Sequence, residues 1–193
     1  PDNPRLSIAD RYVPRGSLVD RRNAPIAITD GEPGDYQRNL LYPPLSLTVG
    51  YIHPLYGQAG LEYSLNDYLR GYRGTPASSI FLDQLLYNQP PEGLDVRLSI
   101  DLTLQEKADE MMTGHTGALV LLNAQSGEVL AVASHPYFDP NLPEEEWESS
   151  LNDPDAPLFN RATLGQYPAG TALTPFLLAA VEEDFLDVEA PEK

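Results

Sequence analysis

The chain contains no cysteine and only two lysines, Lys107 and Lys193, among its 193 residues. The first absence excludes disulfides and thiol chemistry while leaving the compartment open. The second leaves few places for a lysine base. Cations are scarce in general: 12 Lys and Arg against 29 Asp and Glu give a net charge of −17. Binding to nucleic acid, or to an anionic membrane through a basic face, is therefore not expected. No apolar run approaches a membrane span and no signal peptide is visible. As given, the chain reads as a soluble piece cut from something longer.

What is present is an apolar but loop-rich chain, 41% hydrophobic, with 14 glycines and 19 prolines. Its length suits one domain or two small ones. Ser17–Val19 and Pro25–Thr29 read as strands around a turn at Arg22-Asn23, and Leu45–Ile52 as an extended segment. Arg15, Asp20 and Arg21 are expected to form structural ion pairs. Gly60–Gly71 predicts a short helix with Leu61, Leu65, Tyr68 and Leu69 on one face, and Glu62 able to pair with Asn66 on the exposed side. A second apolar piece spans Ile80–Tyr87, and Pro90-Pro91 and Gly93 then punctuate the chain. Asp95–Ile100 alternates as a strand. Thr103-Leu104-Gln105-Glu106 fits a capping box opening a helix through Met112. The clearest hairpin is Gly117–Ser134, two continuous apolar strands about Gln125-Ser126-Gly127, whose lack of polar alternation predicts burial on both faces. Glu144–Glu148 reads as a polar helix with a solvated acidic face. His53 has no second ligand nearby and reads as ordinary surface, so neither a metal site nor a cofactor is expected.

The segment from Asn160 to Phe176 draws these pieces together. A loop containing Pro168 and Gly170 delivers Thr171 to a helix start. The run Phe176–Val181 has the all-round apolar character of a helix buried in a core. Thr171 and Thr174 stand three apart, on one face of a helical turn. By composition alone such hydroxyls cap helices, and Thr174 before Pro175 fits an N-cap followed by proline at the first helical position.

In this order the stretches resemble the class B penicillin-binding proteins. Arg15 to Ala24 is similar to the family's R-G-x-I-x-D-R-N-G opening, with alanine replacing the usual glycine, a change expected to strain the turn. Gly60–Gly71 is similar to G-L-E-x-x-x-N-x-x-L-x-G, Asp95–Ala108 to D-V-x-L-T-I-D-x-x-L-Q-x-x-A, and Ser134–Asn141 to S-x-P-x-F-D-P-N. The matches run from Arg15 to about Val181. The resemblance implies an α+β molecule: an elongated, β-rich pedestal or dimerisation domain over 1–94, a connecting strand and helix over 95–116, and the incomplete N-terminal part of a transpeptidase-like unit over 117–193. A two-stranded hairpin with edges this apolar calls for a neighbour. The resemblance further implies a peptidoglycan-polymerising membrane glycosyltransferase as partner and an extracytoplasmic place with a membrane anchor upstream of Pro1; the uncovered hairpin predicts homo-association or an exposed apolar patch, and no cofactor is expected.

Family enzymes place the serine and lysine of S-x-x-K where Thr171 and Thr174 stand here, and the serine is the nucleophile. A hydroxyl is a weak nucleophile unless an adjacent base takes its proton. Thr171 keeps the hydroxyl and adds a methyl that crowds the attack. Thr174 cannot accept the proton as an amine would. Ser64-Leu65-Asn66 and Ser150-Leu151-Asn152 match the family's S-x-N by letters but precede Thr171, whereas the family's motif follows the nucleophile. No K-T-G can be written, because Lys107 precedes alanine and Lys193 is last. Three readings stand: a catalytically inactive relative acting in cell-wall assembly, a fragment of a working D,D-transpeptidase with an altered or engineered motif, and an extracytoplasmic binding or scaffold domain, since fold does not fix function.

Overall fold

The computed structural model describes residues 12–53, 55–82, 85–86 and 91–180, and its fold is α+β. Leu18–Val19 (β1) and Pro25–Asp30 (β2) pair antiparallel about the expected turn. Asp20 organises that turn, its Oδ1 accepting the backbone N–H groups of Arg22 and Ala24, each at 2.7 Å. The left-handed residue is Asn23, with φ of 67°, and not Ala24. Asparagine tolerates that region, so the strain expected at Ala24 does not arise there. Gln37–Leu40 (β3) pairs with the far side of β2.

The next stretch departs from the extended reading. Pro43–Leu45 is a 3-10 turn running into the helix Ser46–Val49 (α1). Two prolines preset φ for helix entry, and Leu45 and Val49, four apart, both bury at 1% exposure. Ile52–His53 (β4) and Gly57–Gln58 (β5) then form a small hairpin. The helix expected over Gly60–Gly71 is two pieces, Gly60–Ser64 (α2) and Asn66–Leu69 (α3), broken where Leu65 takes φ −101° and ψ 9°. Of the apolar piece after it, Ala77–Leu82 (α4) is helical with Phe81 and Leu82 exposed, and the remainder falls partly outside the described residues.

Val96–Arg97 (β6) runs parallel to β1, giving the sheet order β3-β2-β1-β6. Leu102–Met112 (α5) follows, and its cap is Asp101, whose Oδ1 accepts the Thr103 N–H at 3.1 Å. The capping role therefore falls two residues earlier than the Thr103 box implied. Gly117–Leu122 (β7) and Val129–His135 (β8) form the predicted hairpin, with Gly117 opposite His135. Burial on both faces holds for β8, where Ala131 through His135 are all buried. It fails for β7, where Val120, Leu121 and Leu122 are exposed. Glu144–Leu151 (α6) is polar except at Trp147, which is 3% exposed, and at its exposed last residue, Leu151. The main core joins Leu18, Ile26, Leu45, Val49 and Leu69 to Ile100 and to Val132 of β8. Leu119 packs instead with Ala108, Ala131 and Ala133.

Candidate functional site

The chain leading to Thr171 leaves the body of the protein at three adjacent residues. Asn160 Oδ1 accepts the N–H groups of Ala162 and Thr163, both at 3.1 Å, which folds a local turn. Asn160 Nδ2 donates to the carbonyl of Leu47 in α1 at 2.9 Å. Arg161 N–H donates to Ser134 Oγ of β8 at 2.9 Å, and its guanidinium donates to the carbonyls of Asp155, Ala156 and Phe159. Ala162 packs against the main core. From Gln166 through Ala179 every residue is exposed.

Gly170–Leu173 forms a 3-10 turn and Thr174–Ala180 (α7) a helix. Gly170 takes φ of 53° in open space, so backbone conformation alone calls for glycine there. Thr171 lies in the 3-10 turn. Thr174, with φ −56° and ψ −45°, is the first helical residue and not the half-in cap that its place before proline suggested. The helix forms where expected, but its face is open: Phe176 is 73%, Leu177 64% and Leu178 49% exposed. No amine stands ready among the described residues. Lys107 Nζ is paired with Glu110 at 2.6 Å on the solvent side of α5. That hydrogen bond holds the Lys107 ammonium above its ordinary range, the wrong direction for a base.

Three polar or aromatic clusters escaped the sequence pattern. Glu62, read as exposed, is 1% exposed and pairs with Arg15 at 3.1 Å and Arg38 at 2.7 Å. Asn66 does not pair with Glu62 but accepts from Arg15 at 2.9 Å. Asp109 of α5 gathers Tyr42 Oη at 2.8 Å, Gln105 Nε2 at 3.0 Å and His135 Nε2 at 2.8 Å. Burial first, and then the bond to Asp109, pushes the Tyr42 phenol well above its ordinary range. His53, read as surface, packs in an aromatic group around Trp147, whose ring centroid lies 4.7 Å from Tyr51 and 5.3 Å from a stacked Tyr56. His53 Nδ1 accepts the N–H groups of Leu55 and Tyr56. Periodicity counts apolar letters, so a buried Glu62, Gln105 or Asp109 leaves no mark in it.

Residues 117–190 match the penicillin binding protein transpeptidase domain. The chain is 37% identical over 131 residues to the peptidoglycan D,D-transpeptidase MrdA of Acinetobacter baumannii, covering 63% of this chain and 20% of that protein. It is 33% identical over 165 residues to the probable peptidoglycan D,D-transpeptidase PbpC of Pseudomonas aeruginosa, covering 76% of this chain and 27% of that protein. The chain thus spans well under half the length of these relatives. Among solved structures, Pseudomonas aeruginosa PBP2 in complex with WCK 5153 superposes with a TM-score of 0.68 at 29% identity, over 87% of this chain and 39% of that one. The imipenem acyl-enzyme of penicillin-binding protein A from M. tuberculosis superposes with a TM-score of 0.77 at 24% identity, over 90% and 44%, a likeness of fold.

Proposed function

We propose that this chain, transpeptidase-like and of the class B penicillin-binding proteins, takes part in peptidoglycan assembly without carrying out acyl transfer at Thr171. The observation that carries the reading is position 174. Where the family's motif needs an amine one helical turn from the nucleophile, this chain presents a threonine at the start of α7. With no base beside it among the described residues, the Thr171 hydroxyl keeps its proton at neutral pH and remains a poor nucleophile. Its methyl adds crowding that a serine would not. Lys107 is engaged by Glu110 and supplies no substitute.

In this reading the contribution to wall assembly comes from surface and not from chemistry. The described part of residues 1–94, held by the Arg15–Glu62–Arg38 network, serves as a pedestal outside the cytoplasmic membrane. The partner proposed for it, by family resemblance, is a membrane glycosyltransferase that polymerises glycan strands. The test is incubation of the chain with excess fluorescent penicillin, followed by a denaturing gel and intact mass. No adduct is expected. A stoichiometric mass gain mapping to Thr171 overturns the reading and favours a working D,D-transpeptidase.

A further inference from the structure

We propose that Asn160 is the positioning residue that sets where the Thr171 segment stands, by tying it to the first unit through the Leu47 carbonyl. Asn160 is placed for two separate tasks. Its Oδ1 accepts from Ala162 and Thr163 at 3.1 Å and shapes the local turn. Its Nδ2 donates to Leu47, 113 residues away in sequence, at 2.9 Å. Only the second task connects the segment to α1.

The neighbouring anchors point elsewhere. Arg161 N–H binds Ser134 on β8, and its guanidinium serves the carbonyls of residues 155, 156 and 159. These fix the segment to the hairpin and to its own preceding loop. Beyond Ala162 nothing comparable is found among the described residues: 166–179 are exposed, and the backbone bonding of the 3-10 turn is internal, with Ala172 N–H donating to Ala169. A lever fixed at one point swings, whereas one fixed at two points keeps its direction. The Leu47 bond, with Ala162 packed on the core that includes Leu45 and Val49, is the second point, and the amide gives it direction. Its acceptor sits well, since α1 is one helical turn whose Ser46 and Val49 are buried and whose end is held by Gly50 N–H donating to Ser46.

The proposal rests on the preceding reading only for what the segment carries. Its test measures placement and not acylation, so either can fail alone. The absence of native cysteine allows paired nitroxide labels on the full chain. One pair stands at Ser64→Cys and Ala172→Cys, and a control pair within the body at Ser64→Cys and Met111→Cys. Asn160→Asp keeps the acceptor for the turn and removes the donor to Leu47, whereas Asn160→Ala removes both. Electron–electron distance distributions for the first pair are expected to broaden about twofold in both variants, with the control pair unchanged. A distribution left narrow by Asn160→Asp but broadened by Asn160→Ala assigns the effect to the turn and overturns the proposal. So does no broadening in either. Should Asn160→Asp fail to fold, Asn160→Ser, which retains an acceptor for the turn but cannot reach Leu47, is read by the same criteria.

Discussion

Arg38 Nε donates to Glu62 Oε1 at 2.7 Å, with both side chains almost wholly removed from water. Arg15 reaches the other carboxylate oxygen at 3.1 Å, so one buried anion answers two cations drawn from separate elements. Glu62→Gln keeps the shape and removes the one carboxylate that Arg15 and Arg38 share. Removal of one member of such a buried group costs about 3–5 kcal/mol. Urea unfolding of the full chain should show that loss, and a change below about 1 kcal/mol would contradict it.

Trp147 is the chain's one tryptophan and is 3% exposed, so its fluorescence reports the docking of α6 on the aromatic group. Emission should be blue-shifted and resist iodide quenching. Tyr51→Ala removes the ring 4.7 Å away and should restore quenching. The Trp147→Ala change should cost about 3–5 kcal/mol, the usual range for deleting a large buried aromatic. Red-shifted emission with free quenching in the unaltered chain would place the indole in solvent and refute the cluster.

Tyr42 has a phenol pKa raised above its ordinary 10.0 by burial and by Asp109. The folded state therefore holds that proton more tightly than the unfolded state does. The stabilisation is complete below pH 10 and is lost as pH climbs above it toward the folded value. Tyr42→Phe should lower stability at pH 8 and flatten the fall between pH 10 and 11, read from urea midpoints. The slope will not vanish, because burial raises Tyr51 and Tyr137 as well. An unchanged slope in Tyr42→Phe would show that its phenol titrates alike in both states.

Val120, Leu121 and Leu122 leave an apolar strip along β7 with no charge between Gly117 and Leu122 to discourage contact. The full chain should bind an apolar dye and self-associate at micromolar concentration by light scattering. Val120→Lys with Leu122→Lys should abolish the self-association and weaken dye binding, the rest of which belongs to the open face of α7, without lowering the unfolding midpoint. A strictly monomeric, dye-silent starting protein would rule this out.

Legibility in the sequence followed the kind of signal each residue left. The β7–β8 hairpin and the strands around Asn23 were readable because continuous apolar runs end at turn residues. The helix at Ser46 reads as extended in the sequence because Leu45 and Val49 lie among β-favouring neighbours, while Pro43-Pro44 acts on the backbone and not on the pattern. The positions of Thr171 and Thr174 came from motif spacing, and local geometry then put Thr174 inside α7. What ties that segment down was invisible. Asn160 looks like any loop asparagine until the fold brings Leu47 to its amide. Likewise Glu62 and Trp147 sit in stretches of mostly polar letters, and only tertiary packing turns them inward.

Two side-chain amides imitate a neighbouring strand. Asn141 accepts from Leu40 N–H at 2.9 Å and donates to Leu40 carbonyl at 2.8 Å, on β3. Gln105 does the same to Val132 of β8, at 2.7 and 3.0 Å. Each occupies positions a recruited backbone would need, and on β8 Asp101 N–H and Ser99 Oγ add to the cover by donating to the Leu130 and Val129 carbonyls. Among the described residues, the outer side of β7 has no strand beside it and no such stopper. Pairing of β7 with its own copy uses up that side on both partners and offers nothing to a third. An edge used up in this way limits association through β7 to two copies.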